Sequence, residues 1–404
     1  MRGKIGVVVA VALILVTGAV AATVSKKAAR KPTVTLTTLY NFTDGSDGGF
    51  PYERVIPDKN GDLFGTTCCG GSSSYGVVYE LVNSSGTYTE KVLYSFTGST
   101  DGCFPYSELL MDKSGNLYGS TSECGSGGYG TVFELVNSGG TYTESTLHGF
   151  SYSDGAYPYG ALATDKTGNL YGTTAQGGTD GYGTVWEISS GTLTTLANMD
   201  YSTMGGYPYG GLNMDHSGNL WGTTCCGGTG GDGVVFEMIN SSGTWNYNAI
   251  HGFSYTDGAD PYYGRVVIGK AGHVFGTAFS GGTSGYGVVW GLKESNGTWT
   301  EFTLYNFTDS SGDGAYPFGG LRLTHAGHLA GTTYYGGANS EGTAFELVHG
   351  SGGWTETLLH TFAGSDGSYP YAGANADKAG NIYGATADGG TSGAGTVFMI
   401  TGAK

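Results

Sequence analysis

From residue 33 onward, apolar and polar residues alternate in short runs, and apolar residues nowhere recur at the helical spacing of three and four. Asn169–Thr174 (NLYGTT), Thr184–Glu187 (TVWE) and Tyr142–Phe150 (YTESTLHGF) are typical. Runs of this length with period-two alternation, rich in Tyr, Thr and Val, predict strands. The punctuation between them has hairpin chemistry. In Asp112–Asn116 (DKSGN), Asp caps the turn and Gly supplies positive φ.

The runs come in a repeating order. A Pro-aromatic pair recurs at Pro51-Tyr52, Pro105-Tyr106, Pro158-Tyr159, Pro208-Tyr209, Pro261-Tyr262, Pro317-Phe318 and Pro370-Tyr371, using seven of the 9 prolines. Each unit reads as four strands, A to D. Strand A is expected to start at the Pro-aromatic pair, where a missing N–H is tolerated. B is the NLYGTT run, C the TVWE run, and D alternates toward a closing apolar residue. Four-stranded units near fifty residues long are the pattern of propeller blades, each of which buries its faces only against its neighbours.

Strand D closes at Phe96, Phe150, Met199, Phe253, Phe307 and Phe362, which is six endings for seven units. The last unit stops at Thr396–Ile400 (TVFMI). Residues 33–42 (TVTLTTLYNF) match strand D and end at Phe42. The expected fold is therefore all-β: a seven-bladed β-propeller of four-stranded blades. Residues 33–43 complete the last blade, and repeats start near 47, 101, 154, 204, 257, 313 and 366. Closing the ring removes the exposed edges that an open stack would keep.

The combination of GNLYGTT, a Gly-Gly loop, YGTVFEL, YTE and LYxF resembles the GloVer (Gloeobacter–Verrucomicrobia) tandem-repeat family over residues 33–400. The resemblance implies a bacterial exported protein and carries no established activity. Members of that family often bear a C-terminal anchor, whereas this chain, ending Thr401–Lys404 (TGAK), is expected to carry none. The Asp-x-x-Gly-Asn-Leu-Tyr/Trp element is also similar to NHL and other bacterial propeller repeats, which serve enzymes and binding proteins alike.

The N-terminus adds an address. Arg2 and Lys4 precede an apolar run from Ile5 to Val16 broken only by Gly6, and Ala19-Val20-Ala21 offers small residues for cleavage. Residues 1–21 are read as a signal peptide, because the run is shorter than the roughly 20 residues that span a bilayer. Residues 22–32 read as a basic leader. The expected location is secreted, extracellular or periplasmic, with no membrane insertion after cleavage. Six of the 17 Lys and Arg lie in residues 1–31, so the remainder carries 11 basic against 33 acidic groups, 11 − 33 = −22. That balance argues against nucleic acid and anionic membrane surfaces as partners.

In a propeller the D–A and B–C loops share one face, and the candidate chemistry gathers there. An Asp stands four residues before six of the prolines: Asp47, Asp101, Asp154, Asp257, Asp313 and Asp366, with Met204 in the fourth unit. A ring of carboxylates could bind Ca²⁺; the competing reading, favoured by the repetition itself, is turn capping. Tyr52, Tyr106, Tyr159, Tyr209, Tyr262, Phe318 and Tyr371 are expected to pack between blades. The loop tyrosines Tyr75, Tyr129, Tyr182 and Tyr286 are equally open to packing or to sugar and peptide contacts. Asp232, Asp257, Asp260 and Glu341 depart from the repeat and mark the best candidates for a specific site.

Export also favours disulfides. Cys225-Cys226 have no other cysteine nearby, so a vicinal bridge is the first choice. Repeat equivalence extends it to Cys68-Cys69 and leaves Cys103 with Cys124; cross-pairing such as Cys69 with Cys103 is the rival. No histidine shares these loops, which argues against zinc. No catalytic residue is assigned and no cofactor other than Ca²⁺ is considered. The leading expectation is a monomeric, non-catalytic binding or scaffold protein that meets a glycan or protein ligand through its D–A/B–C face. The alternatives are a lyase, lactonase or glycosidase using the acidic loops, and a purely structural surface component.

Overall fold

The structure, a computed structural model, describes residues 33–269, 272–310 and 312–403. The expected signal peptide and basic leader lie outside the described residues. The rest forms seven four-stranded antiparallel sheets arranged as a seven-bladed propeller. Blade 1 runs A Ile56–Pro57, B Leu63–Thr67, C Val77–Ser84 and D Thr87–Ser95. Blades 2 to 6 repeat this order. Blade 7 has A Asn375–Ala376, B Ile382–Thr386 and C Thr396–Thr401, and its strand D is Thr35–Asn41 from the other end of the chain. That strand pairs antiparallel with strand C from Thr35 opposite Thr401 to Asn41 opposite Thr396. It carries the same bulge, between Thr38 and Tyr40, that every other C–D pair carries near its end.

The alternation read in the sequence explains how the blades stick. Strand B and the first five residues of strand C are largely buried on both faces, while D alternates exposed and half-buried residues at the rim. The core divides into seven apolar clusters, one at each seam between neighbouring blades. Seven blades in an open row would have only six seams. The seventh seats Phe42 with Val55, Leu63, Val77 and Tyr79 of blade 1 and Val397 of blade 7.

One expectation needs correction. Strand A does not begin at the Pro-aromatic pair; it is two residues long and starts five positions after the proline, at Ile56 in blade 1 and Asn375 in blade 7. The residue before each proline explains why. Phe50, Phe104, Tyr157, Tyr207, Asp260, Tyr316 and Tyr369 all have positive φ, between 53° and 59°. The left-handed region is unfavourable for L-residues by about 1–2 kcal/mol, and it turns the chain out of any ladder. Two hydrogen bonds hold it there. The Phe50 amide donates to the Ala394 carbonyl of blade 7 (2.8 Å), and the Phe50 carbonyl accepts from Cys68 of its own blade (3.2 Å).

Every blade repeats this staple to the blade before it, as Phe104 does to Tyr75 and Tyr369 to Glu341. The proline itself lies on a glycine of the preceding blade. A Cβ on Gly395 would come 2.6 Å from Pro51 Cδ, and one on Gly76 would come 2.6 Å from Pro105 Cδ. The recurring Pro and Gly are thus two halves of one inter-blade lock, made with identical geometry at the closure seam.

Candidate functional site

The staple fixes where each Pro-adjacent aromatic points. The seven rings follow one another around the axis in T-shaped, tilted and, for Tyr262 on Phe318, stacked contacts, from Tyr52 through Tyr106, Tyr159, Tyr209, Tyr262, Phe318 and Tyr371 back to Tyr52. Successive centroids are 4.8 to 5.8 Å apart. Such separations suit edge-to-face and tilted pairs. Blade 5 adds an eighth ring. Its strand A starts at Val267, six positions after Pro261 instead of five, and the extra residue, Tyr263, leans across the ring onto Phe318 (5.0 Å), Tyr209 (5.5 Å) and Tyr159 (5.8 Å).

Tyr52, Tyr106, Tyr159, Tyr263, Phe318 and Tyr371 wall a cavity of about 230 Å³ into which Glu53 faces. Burial pushes the phenols of Tyr106 and Tyr159 up to about 12, so both remain neutral donors. Glu53 keeps some exposure to the cavity but is otherwise ringed by protein. Burial, with Glu108 adding and Arg54 opposing, pushes its acid up to about 8. At neutral pH the cup is therefore aromatic walls around a protonated carboxyl.

Below the aromatic layer the repeat breaks completely. The third position after each proline is Ala161, Gly211, Gly320 or Gly373 in four blades, where small residues let neighbouring backbones touch. In blades 1 and 2 the same position holds Arg54 and Glu108, and blade 5 places Arg265 one step later. Arg54 and Glu108 are buried, at 5% and 8% exposure. The Glu108 carboxylate lies 3.4 Å from Arg54 Nε and 3.6 Å from Arg265 Nη1, and it accepts from Asn375 Nδ2 at 3.5 Å. Arg265 Nε also donates to the Leu212 carbonyl (3.0 Å).

A second cavity, of about 210 Å³, lies along strands A of blades 5 and 6 and is lined by Arg54, Asn213, Arg265 and Arg322 among apolar neighbours. These are all three arginines that the chain has after residue 33. Desolvation by the surrounding protein holds half-buried Arg265 and the more exposed Arg322 below an ordinary arginine, and repulsion from Arg54 adds to it.

The candidates named from the sequence are placed elsewhere. Each repeated Asp caps its own D–A turn. Asp47 accepts from the Thr43 amide (3.0 Å) and the Tyr40 hydroxyl (3.1 Å), and Asp101 from Thr97, Ser99 and Tyr94. Asp313 accepts from Thr308 and Tyr305. Asp154, Asp257 and Asp366 pair with His148, His251 and His360 at 3.0, 3.1 and 2.8 Å. Among the described residues no group of three or more His, Cys, Asp or Glu is placed to hold a metal ion. The six carboxylates are not gathered into a ring for Ca²⁺.

The loop tyrosines sit at the seams. Tyr75 packs on Phe104, Tyr129 on Tyr152 and Tyr157, Tyr182 on Tyr201 and Tyr207, and Tyr286 on Tyr316. Asp232 takes the corresponding place between blades 4 and 5, where it accepts from the Tyr255 amide (2.8 Å); Asp260, bonded by Ser280 Oγ (2.8 Å), is its neighbour. Glu341 stands between blades 6 and 7 beside Tyr369 and Asp388. Asp232 and Asp260 thus share the seam between blades 4 and 5, while Glu341 stands at a different one. The cysteines pair as Cys68–Cys69, Cys103–Cys124 and Cys225–Cys226.

Fold and site together define a seven-bladed β-propeller with an aromatic cup and a charged chamber on its axis. The family model for the Gloeobacter/Verrucomicrobia repeat matches residues 23–236 and 212–404, and the chain belongs to that family. No curated protein matches it. Among solved structures it is similar to two proteins described as candidate 6-phosphogluconolactonases. The one from Bacteroides uniformis is 14% identical with a TM-score of 0.52, covering 83% of this chain and 89% of that one. The one from Bacteroides fragilis is 14% identical with a TM-score of 0.53, covering 82% and 90%. It is also similar to the extracellular domain of a candidate hybrid two-component system from B. thetaiotaomicron, at 10% identity and a TM-score of 0.55, covering 90% of this chain and 39% of that one. Likeness at these identities shows the fold alone.

Proposed function

We propose that the protein is an exported, non-catalytic binding protein that takes a carbohydrate in the axial cup on its D–A/B–C face. The observation that carries this reading is the cup itself. Ring faces and phenol hydroxyls surround a neutral carboxyl, which offers apolar area for a sugar's C–H faces and donors and acceptors for its hydroxyls. The paired cysteines suit an oxidising compartment outside the cytoplasm. Calorimetric titration with mono- and oligosaccharides tests it. A sugar should bind, and Tyr371→Ala should weaken it at least tenfold. Binding unchanged in Tyr371→Ala, or no sugar bound at all, removes the reading.

One observation favours a second reading, an acid–base enzyme. Glu53, with an acid near 8, stands beside a second carboxyl, Glu108, and a carboxyl that holds its proton at neutral pH is the equipment of a general acid. Turnover of a bound sugar that disappears in Glu53→Gln while binding persists would select this second reading.

A further inference from the structure

The chamber below the cup has a charge imbalance that the protein does not resolve internally. Arg54, Arg265 and Arg322 bring three guanidinium groups together, and the acids beside them are Glu53 and Glu108. Even with both acids ionised, 3 − 2 leaves one positive charge in excess. This stands inside a domain whose formal charge is 11 − 33 = −22.

Glu108 is divided between two arginines at 3.4 and 3.6 Å, and Arg54 Nε, in a side chain 6% exposed, makes no hydrogen bond. No carboxylate lies within 4 Å of the Arg322 guanidinium among the described residues. Arg54 is buried, Arg265 is half-buried and Arg322 reaches solvent, so the like charges of the three guanidiniums meet at an open chamber where an anion entering from solution would offset their repulsion. Asn213 lines the same chamber. The walls are otherwise apolar residues of strands A, such as Val267, Ile268 and Leu323, which strengthen any ionic contact made there.

We propose that this chamber is an oxyanion site in which Arg54, Arg265 and Arg322 hold the carboxylate or phosphoryl group of a small ligand. Planar guanidinium forks match both groups. The acidic exterior disfavours a polyanion such as nucleic acid, and a chamber of about 210 Å³ suits a small molecule. Its walls follow strands A toward the A–B turns, away from the aromatic rings. The site is therefore independent of the sugar reading, and either can fail alone.

The test uses the full chain in sodium phosphate, sodium malonate and sodium chloride at matched ionic strength. Phosphate or malonate should raise the melting temperature above chloride more in the parent than in Arg322→Gln, a difference that the general stabilisation by such salts does not produce, and which of them shows it identifies the phosphoryl or the carboxylate group. Calorimetry should then show at least a tenfold loss of affinity in Arg322→Gln, a variant that breaks no ion pair among the described residues. Glu108→Gln, which frees two arginines from their competitor, should tighten binding several-fold. The proposal is overturned if neither anion stabilises beyond chloride, or if Arg322→Gln binds as the parent does.

Discussion

Replacing Phe42 with alanine should cost as much stability as replacing Phe307, although one lies nine residues into the described chain and the other in the middle of it. Both close a strand D, and both are fully buried, at 0% and 1% exposure. Both set their rings against an aromatic of strand C in the next blade, Phe42 on Tyr79 at 5.0 Å and Phe307 on Phe345 at 5.2 Å. Each amide donates 3.0 Å to the glycine opening strand C of its own blade, Phe42 to Gly395 and Phe307 to Gly287. Truncating a buried Phe costs about 3–5 kcal/mol. For a domain of this size that corresponds to a fall of roughly 4–6 °C in melting temperature, from about 2.1 cal/mol/K of unfolding entropy per residue. Guanidinium titrations followed by tryptophan fluorescence would compare the two variants with the parent. Equal losses mean the N-terminal strand is as structural as any internal one. A loss for Phe307→Ala with none for Phe42→Ala would refute the latch, because an undocked strand has nothing to lose.

Two further outcomes are expected. Between pH 4.5 and about 8 the folded state holds the Glu53 proton that the unfolded chain releases, so parent stability is full below about 4.5 and falls as pH rises through 8; Glu53→Gln should remove that part of the slope and melt higher than the parent at pH 9, and parallel pH profiles for the two would show that the carboxyl is not held protonated. Gly395→Ala should destabilise by more than about 2 kcal/mol, because φ is +90° and the new Cβ meets Pro51 at 2.6 Å, whereas Gly191→Ala, at φ +76° with open space around it, should cost about 1 kcal/mol; equal costs in melting experiments would mean that the Pro–Gly lock is loose.

What could be read from the sequence was whatever the repeat states seven times. Pro-aromatic pairs counted the blades, and TVTLTTLYNF revealed the missing strand D because it is a local pattern matched against six copies. The position of strand A was misread because a proline at a strand's first residue is ordinary, while an aromatic in the left-handed region just before it is not visible in composition. The repeated Asp and the loop tyrosines drew attention because they recur, and recurrence is what turns and seams produce. Glu53, Arg54, Glu108, Arg265 and Arg322 were overlooked because they are scattered over blades 1, 2, 5 and 6 and form no motif with their sequence neighbours. A signal was present nonetheless. Aligned on the proline, the third position is Gly or Ala in blades 3 to 7 but charged in blades 1 and 2, and every arginine after residue 33 falls within that lead-in or on the strand A that follows it. Only closing the ring turns those scattered positions into one chamber.

The closing strand also decides how the molecule is presented. Thr35 pairs with Thr401, and Gly402 lies against the Thr33 carbonyl, so the described chain begins and ends side by side at the C–D end of blade 7. That end belongs to the face of the A–B and C–D turns, opposite the loops that surround the aromatic cup. A bead, a display scaffold or a fused domain joined beyond Ala403 therefore attaches behind the cup and leaves its mouth open to solution. The same adjacency permits circular permutation. Bridging Thr33 to Ala403 and cutting another C–D hairpin, such as that at Ser190 and Gly191, would move the chain ends to a new blade while every seam, and the axis they enclose, stays as it is.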